Sequence, residues 1–172
     1  YEQLGTVKKA VKDMTFDYSS GILYAITEDE NKLANTIAIV DPQSGALQAQ
    51  YTDPEHVFTS LAADEKGTLY AIARDKVSVA GASALYVIDL KGQSVTKIGD
   101  TGQNSVLEQS MTYDFEHGYL YWAQIAKSND SKLCIVDTKS GYASPIGKIG
   151  AAGCEVTALY YVPEQELEAP YV

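Results

Sequence analysis

Residues 111–123 read Met111-Thr-Tyr-Asp-Phe-Glu-His-Gly-Tyr-Leu-Tyr-Trp-Ala123. The pattern occurs twice upstream, as Met14-Thr-Phe-Asp-Tyr-Ser-Ser-Gly-Ile-Leu-Tyr-Ala-Ile26 and as Leu61-Ala-Ala-Asp-Glu-Lys-Gly-Thr-Leu-Tyr-Ala-Ile72. Each copy has an apolar start, an Asp followed closely by a Gly, and a second run rich in aromatic and β-branched residues. Such runs joined by turn residues indicate pairs of β-strands.

A second motif follows each copy and gives the repeat its period. It reads Ile39-Val-Asp-Pro-Gln-Ser-Gly45, Val87-Ile-Asp-Leu-Lys-Gly92 and Ile135-Val-Asp-Thr-Lys-Ser-Gly141, with its Asp residues 48 positions apart. Nearly the same period spaces the first motif at Met14, Leu61, Met111 and Leu159, with intervals of 47, 50 and 48 residues. A third marker at Leu4-Gly5, Ile98-Gly99 and Ile146-Gly147 keeps this period, with Tyr51 in the unmarked second slot. Repeats of about 40–50 residues are typical of β-propeller blades.

Each repeat predicts four short antiparallel strands, so the predicted fold is an all-β propeller. In the first turn of each repeat, an Asp can accept bonds from the backbone and a Gly can adopt a positive φ. These residues are Asp17, Asp64 and Asp114, with Gly21, Gly67 and Gly118. The predicted blades span residues 11–56, 57–105 and 106–154, with lone strands at 1–7 and 156–162.

The two motifs together resemble the propeller repeats of bacterial secreted and cell-surface proteins, over almost the whole chain. This resemblance implies an extracellular or cell-surface location. Residues 164–172 resemble the exit linker that leads into Ig-like domains in such proteins. Propellers host binding modules, lyases, lactonases and quinone-dependent enzymes, so the resemblance implies no single reaction.

The predicted ring is incomplete because a fourth unit lacks its second and third strands. An open end would expose a row of unpaired backbone groups. We therefore expect the chain to be the C-terminal part of a larger propeller. The remaining propeller strands would come from the same protein or from another chain.

Charge excludes two classes of partner. The 172 residues include 13 Lys and Arg against 23 Asp and Glu, a net charge of −10. A surface this acidic repels nucleic acid and anionic membranes, and no apolar run approaches the ~20 residues of a membrane span. We expect no nucleic-acid partner and no membrane insertion.

The repeated aspartates and the two cysteines are expected to be structural. The aspartates precede turn glycines in different blades, and no Asp-x-Asp-x-Asp-Gly loop occurs, so no metal site and no cofactor are predicted. Cys134 and Cys154 form either a disulfide or two ordinary buried thiols, and their spacing predicts no zinc site.

Five residues are candidates for ligand binding. Trp122 replaces an Ala of the other two repeats, and with Gln109 and Gln124 it could form a platform for a carbohydrate or peptide. Alternatively, Trp122 fills a gap between blades left by the small Ala123. His56 lies in a connector between blades, and Arg74, the only arginine, lies in a loop that varies between repeats.

No catalytic residue is predicted, since no nucleophile motif or acid–base pair is found. The favoured hypothesis is a non-catalytic interaction or adhesion module that binds a protein or a glycan. One alternative is part of a propeller hydrolase or lyase with a carboxylate-lined, metal-dependent channel. The other is a purely structural spacer.

Overall fold

The computed structural model describes residues 5–76, 81–106, 109–125 and 130–162, which form twelve β-strands in three four-stranded antiparallel sheets. Blade 1 contains β1 (Val11–Asp17), β2 (Ile22–Glu28), β3 (Ala34–Val40) and β4 (Leu47–Thr52). Blade 2 contains β5 (His56–Ala63), β6 (Leu69–Asp75), β7 (Gly81–Asp89) and β8 (Ser94–Ser105). Blade 3 contains β9 (Ser110–Asp114), β10 (Tyr119–Ile125), β11 (Ser131–Val136) and β12 (Ala143–Ile149). The described segments contain no helix long and apolar enough to cross a membrane.

The predicted all-β class and the four-stranded blades are confirmed. In chain order, the first, second, third and fourth strands of each blade pair as neighbours. The boundary between the first two blades lies one residue earlier than predicted, because β5 begins at His56. The Asp53 carboxylate accepts bonds from the backbone N–H groups of Glu55 and His56, which ends the connector there.

The Asp-to-Gly turns form as the sequence predicts. Asp17 Oδ1 accepts a hydrogen bond of 2.9 Å from the backbone N–H of Ser19. Gly21, Gly67 and Gly118 adopt φ values of +72°, +79° and +73°, a region that costs glycine little. These turns set the register of the first two strands in every blade.

Two apolar layers hold the blades together. The first layer lies between blades 1 and 2 and includes Ile26, Ile37 and Leu61. The second lies between blades 2 and 3 and includes Leu85 and Trp122. Both layers form because every blade presents one apolar face to the blade before it and another to the blade after it.

Residues 156–162 lie beside β9 without forming part of a sheet. The backbone N–H groups of Leu159 and Tyr161 donate to the hydroxyls of Ser110 and Thr112, at 3.0 and 3.1 Å. No ladder partner for residues 156–162 occurs among the described residues. Residues 1–4 of the predicted N-terminal strand, and the predicted linker at 164–172, lie outside the described part of the chain.

The third marker of the repeat is a point of close contact between blades. A Cβ built on Gly99 of β8 would lie 2.0 Å from the backbone oxygen of Ser140, in the last turn of blade 3. Gly5 makes the same contact with Ser44 of blade 1, where its Cβ would lie 1.9 Å from the backbone oxygen. At Gly147, an added Cβ meets no described atom within 4 Å. Gly147 therefore contacts no Ser-Gly turn among the described residues, whereas Gly5 and Gly99 each contact one.

The two cysteines are free thiols, not a disulfide. Cys134 is buried in the layer between blades 2 and 3, but Cys154 is exposed, so the expectation of two buried thiols holds for Cys134 alone. Burial raises the pKa of the Cys134 thiol to about 11. A buried thiol with a raised pKa is a poor nucleophile.

The glycine contacts predict a contrast between two equivalent substitutions. Gly99→Ala is expected to lower the free energy of unfolding by about 1–3 kcal/mol, because the new Cβ overlaps a backbone atom that cannot rotate away. Gly147→Ala is the matched control and is expected to leave the free energy of unfolding within about 0.5 kcal/mol of the original. Urea denaturation measures both, and equal effects of the two substitutions would contradict the inter-blade contact.

Thiol labelling is expected to separate the two cysteines. A maleimide reagent should modify Cys154 rapidly in the folded chain, and Cys134 only at the rate at which the chain opens or in denaturant. Mass spectrometry of the digested protein measures each rate. Equal labelling rates in the folded state, or a disulfide between the two residues, would contradict this arrangement.

Candidate functional site

The antiparallel strand order places the connections of each blade at two opposite ends. The turns from the first to the second strand and from the third to the fourth strand share one end, called here the turn end. The loops between second and third strands and the connectors between blades share the other end, called here the connector end. In blade 1, residues 17–22 lie at the turn end and residues 28–34 at the connector end.

At the connector end, His56 is held by a buried carboxylate. Its Nδ1 lies 3.0 Å from Oδ1 of Asp53, and its ring packs against Tyr86 with centroids 4.7 Å apart. Asp53 also accepts a bond of 2.9 Å from the Tyr51 hydroxyl. Burial raises the pKa of Asp53, but hydrogen bonds from the backbone of Glu55 and His56 outweigh it and keep that pKa below its ordinary value. Asp53 thus fixes the conformation of the connector through its hydrogen bonds, and the side chain of His56 is one of its partners.

Arg74 is half-buried near the end of β6, opposite Val57 of β5. Its Nε has no hydrogen-bond partner within the described segments. Burial lowers the pKa of the guanidinium. Nearby, the side-chain ammonium of Lys76 donates a hydrogen bond of 3.3 Å to the backbone oxygen of Pro54.

Trp122 is fully buried between blades 2 and 3. Its ring lies in the layer that contains Ala62, Ile72 and Leu85 of blade 2. In this position the ring faces no solvent, which agrees with the alternative in which Trp122 fills a gap between blades.

Gln109 and Gln124 are also buried, and the side chains of both donate hydrogen bonds to backbone oxygens at the connector end of blade 3. The side-chain amide of Gln109 donates to the backbone oxygens of Val106 and Ile125, at 2.6 and 3.1 Å. The side-chain amide of Gln124 donates to the backbone oxygen of Asn104 at 2.7 Å. The two glutamines lie near one another, whereas His56 and Arg74 belong to blade 2.

Asp13, which the sequence analysis did not single out, joins the innermost strands of all three blades. Its Oδ2 accepts backbone N–H bonds from Leu61 at 2.8 Å and from Met111 at 3.3 Å, and its Oδ1 accepts from the Ser110 hydroxyl at 3.0 Å. Ser60 and Ser110 occupy the equivalent repeat positions, immediately before Leu61 and Met111. In the sequence, the polar residue at this position of every repeat was the pattern that could have indicated this junction.

The Asp13 carboxyl is buried, and two opposing effects act on its pKa. Burial raises its pKa to about 7, against the opposing effect of hydrogen bonds from Leu61, Ser110, Met14 and Met111. The equivalent positions in the other two blades are uncharged serines. At this repeat position, Asp13 is therefore the one carboxyl group among the described residues.

At the turn end, a set of rings forms a continuous surface, which we call the aromatic cluster. Its members are Phe16, Tyr18, Tyr113, Phe115 and Tyr160. Centroid distances are 4.9 Å for Phe16–Tyr18, 5.3 Å for Tyr18–Phe115 and 5.3 Å for Tyr113–Phe115, all edge-to-face. The hydroxyls of Tyr18 and Tyr160 are hydrogen-bonded. Sequence analysis missed this cluster because its members come from blade 1, blade 3 and the C-terminal segment.

The aromatic cluster is exposed and encloses a small cavity. Phe16, Tyr18 and Tyr160 are 39%, 51% and 59% exposed. A cavity of about 160 Å³ lies between these rings, Met14 and Leu159. An apolar recess with hydroxyl groups at its edge can bind an amphipathic side chain.

Carboxylates flank the aromatic cluster. The Tyr113 hydroxyl is hydrogen-bonded to Glu65, which holds the pKa of that glutamate below its ordinary value. Glu116 is exposed beside Phe115, and Lys66 lies 3.9 Å from Glu65. The turn end therefore combines aromatic faces with negative charge.

Asp114, Glu116 and His117 bring three potential metal-ligand atoms within 4.8 Å of one another. Asp114 is already engaged in its turn, where it accepts bonds from the backbone of Glu116 and His117 and lies 2.9 Å from Nδ1 of His117. Glu116 and His117 are exposed. The group is sufficiently explained as a turn and carries no metal assignment.

Solved structures with the same fold include two that overlap most of this chain. A chain of a nidogen/laminin complex matches with a TM-score of 0.58 at 16% identity, over 84% of this chain and 50% of that chain. A candidate 6-phosphogluconolactonase from Bacteroides fragilis matches with a TM-score of 0.50 at 17% identity, over 85% of this chain and 41% of that one. No family model and no curated protein matches the sequence.

At these identities the likeness establishes the fold and leaves the activity open. The chain spans about half the length of the matched chain of the nidogen/laminin complex. Together with the three four-stranded sheets, the matches show that this chain is a β-propeller segment with an open ring.

Because the pKa of Asp13 is raised in the folded chain, we expect the stability of the protein to fall as the pH rises. The unfolded chain loses the Asp13 proton near pH 3.8, whereas the folded chain retains it up to about pH 7. Between these values the folded state binds more protons, so the free energy of unfolding falls as the pH rises. The total effect is about 4 kcal/mol at most.

Asp13→Asn is the matched variant, because it keeps the side-chain shape and does not titrate. Urea denaturation between pH 4 and pH 8 should show the original protein losing stability relative to Asp13→Asn over this interval. Other titrating groups are common to both proteins and cancel in the difference. Parallel pH profiles would contradict the raised pKa.

Proposed function

We propose that this chain is a non-catalytic binding module that uses the aromatic cluster to bind a basic segment of a protein partner. The segment would carry Lys or Arg next to aromatic residues or proline. The observation that carries the proposal is the exposed aromatic cluster around its cavity at the turn end. Exposed apolar patches rimmed by polar groups commonly mark interaction surfaces.

Phe16 is more exposed than the residues at the equivalent repeat positions. Ala63 and Tyr113, at the repeat positions equivalent to Phe16, are 2% and 8% exposed, whereas Phe16 is 39% exposed. Tyr18 extends the surface from the adjoining turn. Aromatic rings lose little conformational entropy on binding and provide a large contact area, which favours their use as anchors.

Charge favours a basic ligand over an acidic one. The chain carries a net charge of −10, and Glu65 and Glu116 lie beside the aromatic cluster. A Lys or Arg side chain can stack on an aromatic face while its charge approaches a carboxylate. The same charge accelerates the encounter with a basic partner.

A protein ligand is supported by the nidogen/laminin complex, in which a propeller-containing chain is found with a protein partner. An extracellular setting is supported by the resemblance of the repeats to those of bacterial secreted and cell-surface proteins. Both points extend to this chain as parts of the proposal.

Immobilised short peptides test the proposal. The full chain is expected to bind peptides with Lys or Arg next to Tyr, Trp or Pro, and not the same peptides with Glu in place of the basic residues. Binding should weaken as the salt concentration rises, because the charges involved are exposed. Phe16→Ser and Tyr18→Ser should each reduce affinity about tenfold or more.

Tyr142→Ser is the matched control, because Tyr142 is 54% exposed but packs over Gly102 of blade 2 and lies outside the cluster. It should bind the peptides like the original chain. Equal binding of basic and acidic peptides would overturn the proposal. Binding of neutral glycans in place of peptides would favour the glycan alternative, and no binding of either would favour a structural spacer.

A further inference from the structure

The cavity inside the aromatic cluster has aromatic and apolar walls. All five rings of the cluster line it, together with apolar side chains that include Met14, Leu23 and Met111. No charged side chain lines it within the described part of the chain. The cavity therefore offers ring faces and apolar groups to a ligand, and any charge that acts on the ligand comes from outside the walls.

The rings of the aromatic cluster are turned with respect to one another. The interplanar angles are 83° for Phe16–Tyr18, 84° for Tyr18–Phe115 and 81° for Tyr113–Phe115. Rings that are nearly perpendicular form adjoining walls, whereas parallel rings would form a closed stack. Because the face of each ring carries partial negative charge, such walls favour a cation between them.

The hydroxyl groups on these walls already have hydrogen-bond partners. The hydroxyls of Tyr18 and Tyr160 bond to each other, and that of Tyr113 bonds to a glutamate. The hydroxyls of Thr15 and Thr112 each accept a backbone N–H bond of 3.1 Å. The cavity is therefore poorly suited to a ligand that brings N–H donors, because buried donors without acceptors are costly.

This shortage of acceptors distinguishes one kind of cation from another. An unmodified lysine carries three N–H donors on its ammonium group, and an arginine carries five. A trimethylammonium group has the same positive charge, no N–H donor, and methyl groups that pack against apolar walls. The cavity volume of about 160 Å³ is close to that of an engineered cavity of about 150 Å³ that takes up benzene, and a trimethylammonium group has fewer heavy atoms than benzene.

Carboxylates outside the walls favour a cation over a neutral ligand of the same shape. Glu65 accepts the hydroxyl proton of Tyr113 in a hydrogen bond, and Glu116 is exposed beside Phe115. Lys66, 3.9 Å from Glu65, offsets part of this charge, but the chain as a whole carries −10. A tyrosine that donates to a carboxylate also has a more electron-rich ring, which strengthens the attraction of its face for a cation.

We propose that the cavity of the aromatic cluster binds a trimethylammonium group, presented as the side chain of a trimethylated lysine in the protein partner. This inference rests on the proposed function, which brings a basic segment to the aromatic cluster. It adds that methylation moves the lysine from the outer ring faces into the cavity. Unmodified Lys and Arg side chains stay at the rim, where water can hydrogen-bond their N–H groups.

Three versions of one short peptide test the proposal. A Tyr stands next to a single variable position, which carries lysine, trimethyllysine or the neutral analogue with carbon in place of the nitrogen. Calorimetric titration into the full chain is expected to give a dissociation constant about tenfold or more lower for the trimethyllysine peptide than for the other two. The lysine peptide isolates the effect of the N–H donors, and the neutral analogue isolates the effect of charge at constant shape.

Binding inside the cavity also has a spectroscopic signature. The N-methyl protons of the peptide should shift upfield in the proton NMR spectrum, because they lie over ring faces. Tyr18→Leu and Phe16→Leu each keep an apolar side chain and remove a ring, so each should reduce this shift and weaken binding of trimethyllysine about tenfold or more. Tyr142→Leu is the matched control, since Tyr142 is 54% exposed and lies outside the cluster, and it should bind like the original chain. Circular dichroism checks that the three variants are folded.

Choline and phosphatidylcholine vesicles separate the possible sources of the group. Free choline should displace the trimethyllysine peptide, since it carries the same trimethylammonium group. Vesicles of phosphatidylcholine should not sediment the chain, because the proposal assigns the group to a protein. Failure of choline to displace the peptide, or sedimentation of the chain with the vesicles in place of peptide binding, would overturn the proposal.

The peptide results separate this inference from the proposed function. Equal affinity for lysine and trimethyllysine, or unchanged trimethyllysine binding by both Tyr18→Leu and Phe16→Leu, would overturn the inference and leave the binding of basic peptides in place. Binding of the trimethyllysine peptide alone would support the inference and contradict the binding of unmodified basic segments. No binding of any of the three peptides would overturn both.

Discussion

Side-chain acceptors on the inner strand of blade 1 satisfy backbone donors on the inner strands of the other two blades, and these bonds connect the three blades. Asp13 and Thr15 of β1 accept the N–H groups of Leu61 and Ala63 of β5. Buried backbone donors must find acceptors, and sheet ladders within a blade leave the inner edge unpaired. The polar residues of β1 therefore connect blade 1 to blade 2. Asp13 extends this role by also reaching the backbone of Met111 in blade 3.

Packing between neighbouring blades decides which side chains are buried. Trp122 is fully buried in the apolar layer between blades 2 and 3. Equivalent residues then differ in exposure according to their neighbours. Met14 is 50% exposed, whereas Leu61 and Met111, at the same repeat position, are 0% and 1% exposed. Equally apolar residues at one repeat position thus differ in exposure according to what packs against them in the described structure.

The candidate residues show where sequence reasoning is limited. The turn aspartates were predicted correctly, because their contacts lie within a few residues along the chain. His56 was predicted in a connector, but it is the first residue of β5. Trp122 allowed both a buried and an exposed interpretation, since a strand alternates its side chains between two faces and the sequence does not say which face is covered. The aromatic cluster could not be found this way, because Tyr18 and Tyr160 meet across 142 positions of sequence.

By itself, the sequence determined the strand order, the turns and the blade period, because these depend on local patterns: alternation of side chains, an Asp before a Gly, and a repeat of about 48 residues. The tertiary structure decided the burial of Trp122, the junction at Asp13, the cavity inside the aromatic cluster and the free thiol state of both cysteines. The burial of Trp122 and the junction at Asp13 arise where residues from different blades meet. Such contacts depend on how the blades approach one another, which no local pattern encodes.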